Sequence, residues 1–294
     1  MEEGANRRAL LLDAADDLVR RKRLDEAVDA YDHAARVASE QGDGATAFTA
    51  AYRAAAIAHQ QGDHNAAMRR FHAIVVRWPD HEQARAAHRL AIHHAGELLR
   101  AAPDDTLLDQ YVTMLREHVR AWPESDEADS LRLRLGRIES GRGRVVEAIE
   151  ALATIRPEFD DYTAVLELLR RCHNRADPVR RRDVASPTLL GRLAAAFPDD
   201  AAIQESYADA LAATGQPDQL RRALEQYRVL AERSPEASSR WFRAKYAIAA
   251  LHLRLGNAEQ SAKIVRLLKV LHPELGGPEM RGRFDRLLMK ASGG

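Results

Sequence analysis

Apolar residues recur every three to four positions along nearly the whole chain, and short polar turn signals interrupt them at regular intervals. This periodicity predicts helices at about 5–22, 24–40, 44–61, 64–77, 81–101, 104–121, 125–141, 144–156, 158–175, 187–196, 199–214, 217–233, 237–255, 258–271 and 278–291. The breaks have local causes. Gly62-Asp63, Gly143, Gly215-Gln216-Pro217 and Gly256-Asn257 read as turns between helices. Pro79, Pro123, Pro198, Pro235 and Pro273 cannot continue the helices that precede them. Leu131-Arg132-Leu133-Arg134-Leu135 alternates like a strand, but a lone strand would have no partner here, so it reads as helix.

The breaks repeat in phase with the side chains. A large residue follows a small one by four positions at Ala27/Tyr31, Ala67/Phe71, Ala148/Leu152, Ala223/Tyr227 and Ser261/Val265. A proline follows eight positions later at Phe71/Pro79, Tyr227/Pro235 and Val265/Pro273, and again at Leu115/Pro123. A second small residue stands twelve positions earlier, at Ala15, Ala55, Gly136 and Ala249. Such spacing is what two antiparallel helices need in order to approach closely across a short turn. The large residue then fills space against the next pair, and the proline redirects the chain.

This pattern resembles the tetratricopeptide repeat family, most clearly at Leu135-Gly136 with Gly143 and Ala148, at 62–79, and at Ala223, Tyr227 and Pro235. The resemblance is to a divergent, bacterial-type member. It implies an all-α, right-handed α-solenoid of about seven stacked antiparallel helix pairs plus a C-terminal capping helix. The expected organisation is a repeat array over 1–277 with an irregular insertion near 175–187, then a capping helix and short tail over 278–294. Departures are visible: Ala27 to Ala67 spans more than one standard repeat, 81–123 lacks the glycine turn, and 158–196 fits worst.

Composition agrees with helices and excludes some functions. The chain has 294 residues, 46% hydrophobic and only 5% aromatic, dominated by good helix formers. Formal net charge is zero, so no global attraction to nucleic acid or membrane follows. Residues 1–150 carry 21 basic and 26 acidic groups and residues 151–294 carry 23 and 18, a mild asymmetry. One cysteine permits no intrachain disulfide, and no apolar run is long enough to span a bilayer. The first residues do not read as a secretory signal, so the expected location is cytoplasmic.

Candidate chemistry is sparse. His81, His88, His93 and His94 share one expected helix without the i, i+4 spacing of metal-binding helices, so they read as solvated or packing side chains and no metal or cofactor is expected. Cys172 and His173 point about 100° apart on a helix, unlike a nucleophile and its base, and Cys172 reads as a half-buried structural residue. Gly141-Arg142-Gly143 is a helix turn rather than a phosphate loop. Arg170, Arg171, Arg175, Arg180, Arg181 and Arg182 form the sharpest basic cluster, interrupted by Asp177 and Asp183 and without interleaved aromatics. Trp78-Pro79, Trp122-Pro123 and Phe197-Pro198 read as aromatics packing at helix ends.

The resemblance implies a protein–protein interaction scaffold, not an enzyme, that binds a partner peptide or helix along a concave groove lined by first helices. Carried over by phase, the partner-binding candidates are Tyr52, His59, Arg134, Arg137, Glu205, Asp209, Tyr246 and Arg254. The family's carboxylate clamp has no recognisable counterpart at Tyr52 and Ala56, Leu133 and Arg137, or Glu205 and Asp209. The alternatives are the non-catalytic or regulatory arm of a larger enzyme or assembly, and nucleic-acid binding through 170–182.

Overall fold

A computed structural model describes residues 2–177 and 186–293. Among the described residues there are fifteen helices and no strand. They are α1 (Glu2–Arg20), α2 (Leu24–Glu40), α3 (Gly44–Gln60), α4 (His64–Arg77), α5 (Ala84–Ala101), α6 (Asp105–Ala121), α7 (Ala128–Gly141) and α8 (Val145–Ala153). Then come α9 (Tyr162–Arg175), α10 (Pro187–Ala196), α11 (Ala201–Ala213), α12 (Pro217–Arg233), α13 (Ser239–Arg254), α14 (Ala258–Leu271) and α15 (Pro278–Ser292). Most of the insertion expected at 175–187 lies outside the described residues.

The chain divides into two compact units, residues 1–135 and 136–294. Within each, consecutive helices joined by short turns pack against one another as hairpins, giving an all-α helical array. The small residues singled out by spacing sit at the hairpin contacts: Ala15, Ala27, Ala55, Ala67, Ala148, Ala249 and Ser261 are all 0% exposed. The large residues one turn later are buried too, with Tyr31, Phe71, Leu152, Tyr227 and Val265 each removed from solvent. Each such side chain contributes about 1.5–3 kcal/mol through burial.

The turns repeat as well. At Gly62 and Gly143 the backbone is left-handed, and the next residue donates its N–H to the carbonyl five positions back, Asp63 to Ala58 at 3.0 Å and Arg144 to Glu139 at 2.9 Å. Lys22 occupies the same position after α1 with φ 59°, a conformation that costs a side-chain-bearing residue about 1 kcal/mol. At four of the helix ends where proline follows, the residue before it closes the helix in one recurrent conformation, whereas Ser234 before Pro235 and Ala102 before Pro103 are extended. Trp78, Trp122, Phe197 and His272 all have φ between −127° and −136° and ψ between 64° and 77°. Proline bars the α region to the residue before it.

Several helices start later than the sequence predicts, α5 at Ala84 rather than 81, α7 at Ala128 rather than 125, and α9 at Tyr162 rather than 158. A single turn intervenes each time, closed by the N–H of Ala84 on the carbonyl of His81 at 2.8 Å, of Ala128 on Ser125 at 3.0 Å, and of Tyr162 on Phe159 at 2.9 Å. His81 therefore stands outside α5, its ring stacked on Phe48 at 3.5 Å between centroids. The alternating 131–135 segment is helical: Leu131, Leu133 and Leu135 are buried, and so is Arg132. Arg132 donates to Asp129 at 2.7 Å and to the Pro123 carbonyl at 2.8 Å.

Candidate functional site

Helices separated by one in the chain meet side by side within each unit, which produces two kinds of polar cluster. In the first, an acid on one first helix, a tyrosine on its second helix and an arginine on the next first helix converge. Tyr31 on α2 donates its hydroxyl to Asp16 on α1, and Arg53 on α3 donates to both Asp16 oxygens at 2.8 Å. Burial, then Asp16, pushes the Tyr31 hydroxyl up to about 12, so it stays a donor. The second unit spreads the same set over two acids of one helix: Tyr227 on α12 donates to Asp209 on α11, while Arg243 on α13 grips Glu205, also on α11, at 2.7 and 3.1 Å. Hydrogen bonding to Glu205 is the largest influence raising the Arg243 pKa, with Asp209 and Tyr227 adding to it. Arg240 approaches Glu205 at 3.8 Å.

The second kind of cluster is histidine-rich and lies wholly in the first unit. His94 on α5 is 1% exposed and meets His59 Nδ1 through its Nε2 at 2.9 Å and His64 Nδ1 through its Nδ1 at 2.8 Å. Burial first, then the neighbouring His59 and His64, lower its pKa to about 4. A neutral His94 donates to one neighbour and accepts from the other. His88, one turn and a half earlier on α5, is also 1% exposed, and its ring lies 5.3 Å from His118 and 5.6 Å from Trp122. Neither His88 ring nitrogen has a hydrogen-bond partner. An unmet buried donor of this sort costs about 1–3 kcal/mol. Burial, then His118 and His72, lower the His88 pKa to about 3. His88 Nε2 is 3.6 Å from Glu117 Oε2 on α6, and His72 Nε2 on α4 is 3.0 Å from the same oxygen. One donor atom from each of His72, His88 and Glu117 lies within 4.8 Å of the other two, close enough to hold a metal ion. His72 also lines a largely apolar cleft of about 510 Å³ between α4 and α6, walled by Met68, Thr106, Gln110 and Met114.

The eight residues expected to meet a partner fall in both units. Tyr52 is half-buried, stacked on Phe48 at 5.9 Å and edge-on to Phe71 at 5.3 Å. His59 belongs to the His94 cluster. Arg134 is exposed and donates to the Tyr111 hydroxyl at 2.7 Å. Arg137 and Arg254 are exposed on α7 and α13. Glu205 and Asp209 are engaged by Arg243 and Tyr227 as described. Tyr246 is half-buried on α13, edge-on to Phe284 at 5.4 Å, with the Arg283 guanidinium 4.4 Å from its ring centre. The structure thus joins Glu205 and Asp209 in one network and leaves Tyr246 in a neighbouring one.

The remaining candidates are placed as follows. Cys172 is fully buried, not half-buried, and donates to Ser140 at 3.4 Å. His173 turns instead to Ser206 at 2.9 Å. Of the basic run, Arg170 is tied to Glu167 and Asp200 at 3.1 and 3.5 Å and lies over the Phe197 ring at 4.9 Å. Arg180, Arg181 and Arg182 lie outside the described residues. Trp78 packs edge-on to Phe48 and Trp122 on His118, as expected of aromatics at helix ends.

No protein-family model matches the chain, and no curated protein does. Among solved structures it is similar to a tetratricopeptide repeat protein from Parabacteroides merdae, with 13% identity, 97% of this chain and 98% of that one covered, and a TM-score of 0.36. It is similar to the TPR-like repeats of a Podospora anserina kinesin light chain, with 12% identity, 76% and 93% coverage and a TM-score of 0.28. It is also similar to the TPR2AB domain of yeast Sti1 in its pHSP90 complex, with 14% identity, 98% and 99% coverage and a TM-score of 0.26.

Proposed function

We propose that this chain is a non-catalytic protein-interaction scaffold and that a partner peptide or helix lies along the first-helix face of its second unit. One observation carries this reading. Helices α11, α13 and α15 stand side by side, joined by Glu205–Arg243 and by Tyr246 with Arg283 and Phe284, so that both charge signs and an aromatic share one partly solvated surface. Aromatic and arginine side chains are the usual anchors of protein interfaces. Glu205 is already neutralised by two arginines, so the face offers a partner cations rather than a free carboxylate. Arg240 touches Glu205 only at 3.8 Å and Arg283 rests on a ring, and both can turn to an acidic partner segment whose apolar residue covers Tyr246.

The test is a photo-crosslinking residue at position 246 in the native host, with the crosslinked partner identified. One protein is expected, lost when Arg240 and Arg283 are both reversed to Glu. Equal labelling from position 228, on the exposed outer side of α12, contradicts the reading.

A further inference from the structure

Three helices of the first unit each contribute one donor to a single point: His72 from α4, His88 from α5 and Glu117 from α6. We propose that these three side chains bind one zinc-class divalent cation that ties α4, α5 and α6 together. Around a tetrahedral zinc with bonds of about 2.0–2.1 Å, neighbouring donor atoms stand about 3.3 Å apart. The two separations to Glu117 Oε2, 3.0 and 3.6 Å, bracket that value. The two imidazole nitrogens lie within 4.8 Å of each other, so they need close by no more than about an ångström and a half. His72 and Glu117 have side chains 30% and 47% exposed and are free to make that adjustment, while His88 is fixed by burial.

His88 supplies an independent pointer. A histidine 1% exposed with both nitrogens unpartnered is not explained by hydrogen bonding, and its Nε2 faces the other two donors. A cation there gives that nitrogen its partner. Two imidazoles and one carboxylate favour zinc, cobalt or nickel over calcium and magnesium, which prefer oxygen alone. Three protein donors leave the fourth position to water. The cation would couple the second helix hairpin to the third, a role independent of the partner face in the other unit.

The test is equilibrium dialysis of the metal-free full chain against zinc alone, with cobalt as the spectroscopic probe. One equivalent of zinc is expected, with tetrahedral cobalt absorption displaced by zinc and untouched by magnesium. His72→Gln and Glu117→Gln change partly exposed side chains, so helicity should survive. Each is expected to weaken zinc binding at least about tenfold. His33→Gln, at an exposed position of α2 that is none of the three donors, should bind as the parent does. Absence of a stoichiometric zinc, binding unchanged in both site variants, or binding lost instead in His59→Gln overturns the proposal.

Discussion

Replacing Gly136 by alanine tests the hairpin contact at its tightest point. A Cβ built at Gly136 falls 2.6 Å from Cγ, 2.7 Å from Cδ2 and 3.1 Å from Cδ1 of Leu152 on α8. Carbon atoms at rest stand about 3.5–4.0 Å apart, so the methyl overlaps by about 1 Å. Leu152 is 1% exposed and has no solvent to swing into. Overpacking of this kind costs about 1–3 kcal/mol, and alanine in a helix returns up to about 1 kcal/mol over glycine. The expected net loss is about 1 kcal/mol, measured by urea unfolding followed by far-ultraviolet circular dichroism. Gly141, at the end of the same helix, meets nothing within 4 Å, so Gly141→Ala should be neutral or stabilise by up to about 1 kcal/mol. Leu152→Ala alone should cost about 2–5 kcal/mol. Combined with Gly136→Ala it should cost less than the sum, because the new methyl then has room. A Gly136→Ala protein as stable as Gly141→Ala, or strictly additive losses, would refute the argument.

Other consequences concern the turns and the buried ionisable groups. Lys22→Gly should stabilise the chain by about 1 kcal/mol in the same unfolding assay, because glycine takes the left-handed backbone without strain. Asp129→Ala should cost about 3 kcal/mol by taking the carboxylate from the buried Arg132 guanidinium, and Arg132→Leu a comparable amount by taking that guanidinium from the still more buried Asp129 carboxylate. His94 titrates near 6.5 when unfolded and about 4 when folded, so the unfolded chain binds the extra proton between those values. Its contribution is complete above pH 7 and falls as pH drops from about 6.5 to about 4, by about 1–2 kcal/mol after discounting for the exposed His59. Unfolding free energies of the parent and His94→Gln should differ in slope over that window, and parallel curves would contradict the assignment.

Local patterns made the helices legible. The bounds of α2, α4, α10, α12 and α14 coincide with those expected from periodicity; glycine or proline punctuates the last four at both ends, and α2 at its C-terminal end only. The Ala15/Ala27 and Ala55/Ala67 spacings likewise located close contacts, since small residues in phase have one packing reason. Polar partners were less legible, because each cluster draws on helices far apart in sequence. Glu205 and Asp209 look free on their own helix, but Arg243 and Tyr227 reach them from the next two. A signal existed: an aspartate directly follows the buried alanine at Ala15-Asp16 and at Ala208-Asp209, with a tyrosine on the following helix. His72, His88 and Glu117 carry no local signature, since three helices supply one donor each, and a search for i, i+4 ligands passes over them.

The proposed partner face exists only if successive first helices are neighbours. Cysteines placed at Glu205 and Arg243, with the buried Cys172 changed to alanine, measure this with a short bis-maleimide. Rapid intramolecular coupling of Glu205→Cys to Arg243→Cys is expected, and none of Glu205→Cys to Arg228→Cys. Coupling of the second pair in preference to the first would contradict that arrangement.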